Sequence, residues 1–247
     1  MSERHTNQPS ISISSAIFDL FPDYRRGLVI VNQVTNGPSP EKLVNRIRNV
    51  EQKLKEDLSG KDINAIPRLD CWREAFRLSG IKPTKFRPSI DSLVRRVLSG
   101  NELPSINVLV DIGNLVSLMY LVPVGAHAID VIQEGMELRL ASGTEDFHPF
   151  GSDGLEHPEE GEIIFTDGNQ VMTRRWVWRQ AEHSLVRPST TAVEFNIDLL
   201  PPLPVELQED IFQSLADLVS EFGGGEIRIG MLERTQPDLP LFSPYIS

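Results

Sequence analysis

Polar residues interrupt the most apolar stretch of the chain. Asp111 and Asn114 fall within residues 106–121, three apart, so a helix there places both on one face. A buried polar group without a partner costs free energy, so this pair either hydrogen-bonds backbone inside the fold or reaches a ligand. Glu182 follows a strand-like run, where a carboxylate can accept hydrogen bonds from a substrate hydroxyl or amine, or simply lie exposed. The basic residues form two groups. Lys82, Lys85, Arg87, Arg95 and Arg96 share one short segment; Arg174, Arg175 and Arg179 flank Trp176 and Trp178 in another. In a strand, Arg174, Trp176 and Trp178 would share a face. Arginine beside tryptophan suits phosphate gripping and base stacking. The other reading is core tryptophans, with arginines paired to this protein's carboxylates.

Other chemistry finds less support. His148, Glu156, His157, Glu159 and Glu160 lie in one Gly- and Pro-rich loop, but their spacing matches no zinc pattern, and they read as a solvated acidic loop. Cys71 beside Trp72 reads as a small buried residue, not a nucleophile. There is no P-loop, dinucleotide fingerprint or nucleophile elbow, and Gly223-Gly224-Gly225 follows a helix as its stop. No cofactor and no metal are expected. The formal net charge of −11 argues against a dedicated nucleic-acid binder and against DNA, so any RNA contact must come from a local basic patch. No apolar run reaches the ~18 residues of a membrane span, the polar N-terminus lacks a signal-peptide core, and a single cysteine forbids an internal disulfide. A cytoplasmic location is expected.

The elements that must position these residues follow from periodicity. At 247 residues the chain suits one large domain. Residues 1–10 read as a disordered start, 11–232 as the domain and 233–247 as a Pro-rich surface tail. Stretches 11–18 and 27–34 read as strands joined by a polar corner at 22–26. Helices are expected over 41–58, 69–78 (opened by Pro67), a segment capped by Ser89 and stopped by Gly100, and 107–121. Strands are expected at 136–140, 161–166, 171–178 and 191–199, then a helix over 205–222 and a strand at 226–232. Helices early and strands late define an α+β class.

Several motifs together resemble the editing domain of the phenylalanyl-tRNA synthetase beta subunit, its third and fourth modules, as found in free-standing homologues. They are Trp72-Arg73-Glu74-Ala75-Phe76, Lys82-Pro83-Thr84-Lys85-Phe86-Arg87-Pro88-Ser89 and Leu93-Val94-Arg95-Arg96-Val97. The longest match, residues 103–116 (LPSINVLVDIGNLV), is similar to the synthetase run Ser-Ile-(Asp/Asn)-x-Val-Val-Asp-Val-Thr-Asn-Tyr-Val. Glu182-His183-Ser184 fits Gly-Gly-Glu-His-Ser-Gly-Val, with Thr190 and Val193 in register after it; the match spans about 72–198.

The resemblance implies an α+β editing fold, an N-terminal helical half packed on a mixed or antiparallel β-sheet half, with a cleft for the aminoacylated 3′ end of tRNA. In the synthetase that cleft cleaves misacylated tyrosine. Asn114 matches its asparagine, Glu182 matches the glutamate that senses the phenolic hydroxyl, and Gly113 replaces a threonine. Without gaps the family histidine falls on Gly125; a shift of two residues brings His127 onto it. Free-standing relatives read Pro-Val-Gly-Ala-Tyr there. The implied catalytic residues are therefore His127 as a base near neutral pH, Asn114 and Gly125, with Glu182, Asp111 and Gly113 against the substrate. Lys82, Lys85, Arg87, Arg95, Arg96, Arg174 and Arg179 would meet RNA. The implied activity is trans-editing, the hydrolysis of mischarged aminoacyl-tRNA, with tRNA and a synthetase as partners and no membrane. The alternatives are a non-catalytic RNA- or amino-acid-binding module, or an accessory partner of a synthetase. With no ATP-binding motif, the chain is not a complete synthetase.

Overall fold

The computed structural model of the chain describes residues 9–152 and 154–242. The expected disordered start therefore lies mostly outside the described residues, as does the end of the tail. The architecture is α+β, with two sheets and their helices. Strands β1 (Ser10–Ile13), β4 (Met136–Leu140), β5 (Ile163–Asp167), β6 (Gln170–Arg174), β7 (Arg179–Gln180) and β10 (Asp238–Pro240) form a six-stranded sheet in the order β10-β1-β4-β5-β6-β7. It is antiparallel except for the β1–β4 pair. The second sheet, β3-β8-β2-β9, joins β3 (Val124–Ala128), β8 (Ala192–Leu199), β2 (Arg25–Asn32) and β9 (Glu226–Leu232), all antiparallel.

Strand β2 is buried on both faces, and its alternation splits the hydrophobic core in two. Val29 and Val31 join a core made with α2 (Glu41–Asp57), α5 (Val108–Tyr120) and α6 (Glu206–Phe222). Leu28 and Ile30 point the other way, to a core with α1 (Ser15–Leu20), α3 (Pro67–Leu78), α4 (Ser89–Leu98) and the six-stranded sheet. Gly27 lets α6 approach β2 closely: a Cβ there would lie 2.1 Å from the Phe212 ring.

Several expectations are corrected. Stretch 11–18 divides into β1 and α1, and the tail contributes β10 to the first sheet. Ser89 does not cap α4 with its side chain; Pro88 stands at the cap, and the Ser89 amide donates to the Val177 carbonyl at 2.8 Å. Strand β3 has no counterpart among the expected elements. The strand expected over 171–178 stops at Arg174, because Arg175 and Trp176 take left-handed conformations, φ 48° and 62°. That turn sends Trp176 into the core and leaves Trp178 half-buried, so no face is shared. In the polar corner at 22–26, Pro22 and Asp23 are exposed, whereas Tyr24 and Arg26 are each 1% exposed.

Candidate functional site

The start of α5 meets the β3 edge beside a cavity of about 740 Å3. Asn107 caps α5, accepting from the Val110 amide at 3.1 Å, while its Nδ2 donates to the Val186 carbonyl at 3.0 Å. One buried side chain thus ties the helix start to segment 185–188, the far wall of the cavity. Asp111, 1% exposed, accepts from Ser39 Oγ and Ser105 Oγ, each at 2.6 Å, and from the Ile106 amide at 3.0 Å. It pins the loop before the helix and does not line the cavity, so of the two readings of Asp111 the structure supports backbone and loop anchoring. Gly113 and Asn114 do line the cavity, and Asn114 is half-buried.

Strand β3 is an edge strand, paired among the described residues only with β8. The Asp198 amide bonds the Pro123 carbonyl and the Ile129 amide bonds the Ala192 carbonyl. In an antiparallel ladder such pairs recur every second residue, so Gly125 and His127 turn their backbone groups toward β8, while Val124, Ala126 and Ala128 turn theirs outward. The Val124 amide goes to Ser117 Oγ, the Ala128 amide to the Ser184 carbonyl, and the Ala126 carbonyl takes Gln180 Nε2 at 2.9 Å. The Ala126 amide projects from the same edge, and Ala126 lines the cavity.

Behind this edge, between the sheets, lies an inner chamber of about 210 Å3, which shares Val124, Gly125, Trp178, Arg179 and Gln180 with the outer cavity. His127 belongs here, away from Asn114. Its Nδ1 pairs with Ser184 Oγ at 2.7 Å and its ring packs against Phe165. Burial first, then the charge of Arg26 and of His183, pulls the imidazole down to about 3. It is a neutral hydrogen-bonding group and not a base titrating near pH 7. The chamber floor holds Arg26, which binds Asp198 Oδ1 through Nε at 3.0 Å and Nη2 at 2.8 Å. The Tyr24 hydroxyl donates to the same carboxylate and receives Trp176 Nε1 at 3.3 Å. Burial would lower the Arg26 guanidinium, but Asp198, Tyr24 and Glu194 outweigh it and raise it. Burial pushes the nearby Glu194 carboxyl up to about 8.

The remaining sequence candidates scatter. Glu182 is exposed, pairs with Arg187 at 2.8 Å and does not line the cavity, whereas Arg187 does. Its neighbours are staples: His183 Nε2 meets Asp167 at 3.1 Å and Ser184 holds His127. Arg174 is buried against Glu162 and Glu156, each at 2.8 Å, and Arg175 stacks over Phe86 and pairs with Glu162, so neither is free for RNA. Arg95 is held by Asp91 and Asn64, and Arg96 by the Glu102 carbonyl. Lys82 and Lys85 are exposed beside a separate cleft that Glu159 and Glu160 share; Arg87 is exposed as well. Of the seven, Arg179 alone lines the cavity. In the acidic loop Glu156 serves the arginines and His157 meets the Glu145 carbonyl at 2.8 Å. Burial pushes the Cys71 thiol up to about 11, which makes it inert.

Sequence reasoning missed Arg26, Glu194, Asn196 and Asp198. In β8 the polar residues alternate with Val193, Phe195, Ile197 and Leu199, the pattern of a strand with one wet face. The six-stranded sheet covers that face, with Phe165 packed on Arg26 and His127.

Two sheets with a helical layer, and a cavity at an edge strand, define an α+β domain. The B3/4 domain family matches residues 71–220, more than half of the chain, and the chain belongs to that family, a domain of the phenylalanyl-tRNA synthetase beta-subunit type. The chain is similar to an N-terminal fragment of the phenylalanyl-tRNA synthetase beta subunit from Pyrococcus horikoshii, at 12% identity and a TM-score of 0.44, covering 90% of this chain and 51% of that one. It thus spans about half the length of that fragment. No curated protein matches it. Among the described residues, no helix is long and apolar enough to cross a membrane.

Proposed function

We propose that this domain hydrolyses the ester of mischarged aminoacyl-tRNA in trans, at the outer cavity. The observation that carries the reading is the outward Ala126 amide on the free β3 edge, in one cavity with the Asn114 carboxamide and with Arg179 and Arg187. Water attacks the ester carbonyl, and the Ala126 N–H donates to the oxyanion that forms. Asn114 orients the water. The acyl–oxygen bond breaks and the ribose hydroxyl leaves with a proton. Arg179 and Arg187 meet terminal phosphates, and the exposed Lys82, Lys85 and Arg87, outside this cavity, are further cations for the tRNA backbone. Membership of the B3/4 family supports an aminoacyl-tRNA substrate and association with a synthetase. No cofactor enters this chemistry.

Purified protein incubated with a panel of mischarged tRNAs tests this. At least one ester is expected to be cleaved well above the buffer rate, and Asn114→Ala to slow it on the order of 10²-fold. Cleavage no faster than in buffer across the panel sinks the hydrolase reading. One observation favours a second reading, a binding-only module: among the described residues, the titratable ones lining the cavity are Arg179 and Arg187, neither a proton acceptor. Aminoacyl-tRNA bound without turnover would identify it.

A further inference from the structure

Four buried side-chain atoms at the junction of the sheets lack a partner among the described residues: Arg26 Nη1, Asn196 Oδ1 and both Glu194 oxygens. Arg26 and Asn196, 1% and 5% exposed, both line the inner chamber. Their free ends are fixed by their occupied ones. Arg26 spends Nε and Nη2 on Asp198, which leaves Nη1 as a donor. Asn196 gives Nδ2 to Asp198 Oδ2 at 2.8 Å, and a carboxylate accepts only from that end of the amide, so Oδ1 remains as an acceptor. That oxygen sits beneath Gly125, 2.5 Å from where a Cβ would be, on the wall common to chamber and cavity. Glycine there leaves Asn196 undisturbed.

The chamber is close to neutral: Arg26 is matched by Asp198, Arg179 faces Glu156 at 3.5 Å, and His127 is uncharged. A charged guest gains nothing there, and a purely apolar one leaves both orphans unpaired, at a cost in free energy. The complement is a neutral group with one donor and one acceptor. We propose that the inner chamber is the side-chain subsite for the ligand of the outer cavity, taking a short side chain that ends in a hydroxyl or carboxamide. Asn196 Oδ1 accepts from it and Arg26 Nη1 donates to it. The inference rests on reading the outer cavity as an aminoacyl site, and it names the class of amino acid recognised: serine, threonine or asparagine, not valine or tyrosine.

The test is calorimetric binding of 3′-aminoacylamino-3′-deoxyadenosines, whose amide resists hydrolysis, carrying threonine, asparagine, valine or tyrosine. The threonine or asparagine analogue is expected to bind at least tenfold more tightly than valine; which of the two leads distinguishes hydroxyl from carboxamide. Asn196→Leu should erase the difference. Should that variant fail to fold, Gly125→Ala crowds the same oxygen from β3 and should erase it as well. Equal binding of threonine and valine, preference for tyrosine, or no binding of any analogue overturns the proposal, as does discrimination that survives the variants. Selective binding without cleavage of mischarged tRNA would sink hydrolysis alone. Cleavage of valyl and threonyl esters at equal rates would sink the subsite alone.

Discussion

The outer cavity and the inner chamber share one wall, yet they are built by opposite means. The outer cavity is framed by backbone: a helix start, a strand edge and segment 185–188, with Asn107 and Asp111 bonding main-chain atoms to hold them. Its polar side chains, Asn114, Arg179 and Arg187, are partly or largely exposed. The inner chamber is framed by side chains whose charges are matched out of water, Arg26 with Asp198 at 1% and 0% exposure. The exposed side chains of the first region can change with little effect on stability, and the buried ones of the second cannot. A surface polar group keeps water as an alternative partner, whereas a buried ion loses it.

The largest break in this comparison is expected from Asp198→Ala. It strands the Arg26 charge and the Tyr24 hydroxyl, and urea denaturation should register a loss of about 3–5 kcal/mol. A loss below about 1 kcal/mol would mean that the chamber is wet and the contrast false. The pH dependence comes next. Glu194, raised by burial from 4.5 to about 8, holds its proton more tightly folded than unfolded, so stability falls as pH rises between those values. His127, lowered by burial from 6.5 to about 3, holds its proton more weakly when folded, so stability falls as pH drops between those values. Each slope is about 1.4 kcal/mol per pH unit, and they cancel between 4.5 and 6.5, where stability should peak. Glu194→Gln should remove the alkaline decline and leave the acid one. Arg26 and Asp198 both act on Glu194, so a double variant tests the coupling.

On the outer side, Asp111→Ala should cost about 1–3 kcal/mol, as three donors lose their acceptor, and hydrogen exchange at residues 105–107 should quicken. The smallest effect is expected from Asn114→Ala: within about 0.5 kcal/mol of wild type in stability, with the loss confined to hydrolysis. A large drop in its melting temperature would place Asn114 among the structural residues instead.

Much of the outer region was legible. Apolar periodicity placed α5 within a residue or two, and the interruptions at Asp111 and Asn114 marked the loop anchor and the cavity lining without saying which was which. Strand β3 was illegible because its pentapeptide, VGAHA, has weak strand propensity and is held by pairing with β8. The Arg174-to-Trp178 face failed because two left-handed residues bend the chain, which no alternation pattern reports.

What the sequence by itself determined is local or carried by motif: helices with one apolar stripe, Asn107 and Asp111 at the start of α5, and a stretch whose residues mark the B3/4 family. Only the tertiary structure decided which polar residues are dry. Glu194, Asn196 and Asp198 alternate as a solvated face would, and Tyr24 and Arg26 read as part of a polar corner between strands. The six-stranded sheet, assembled from strands distant in the chain, closes over them. Burial depends on what packs above a face, and periodicity records only that the face is polar.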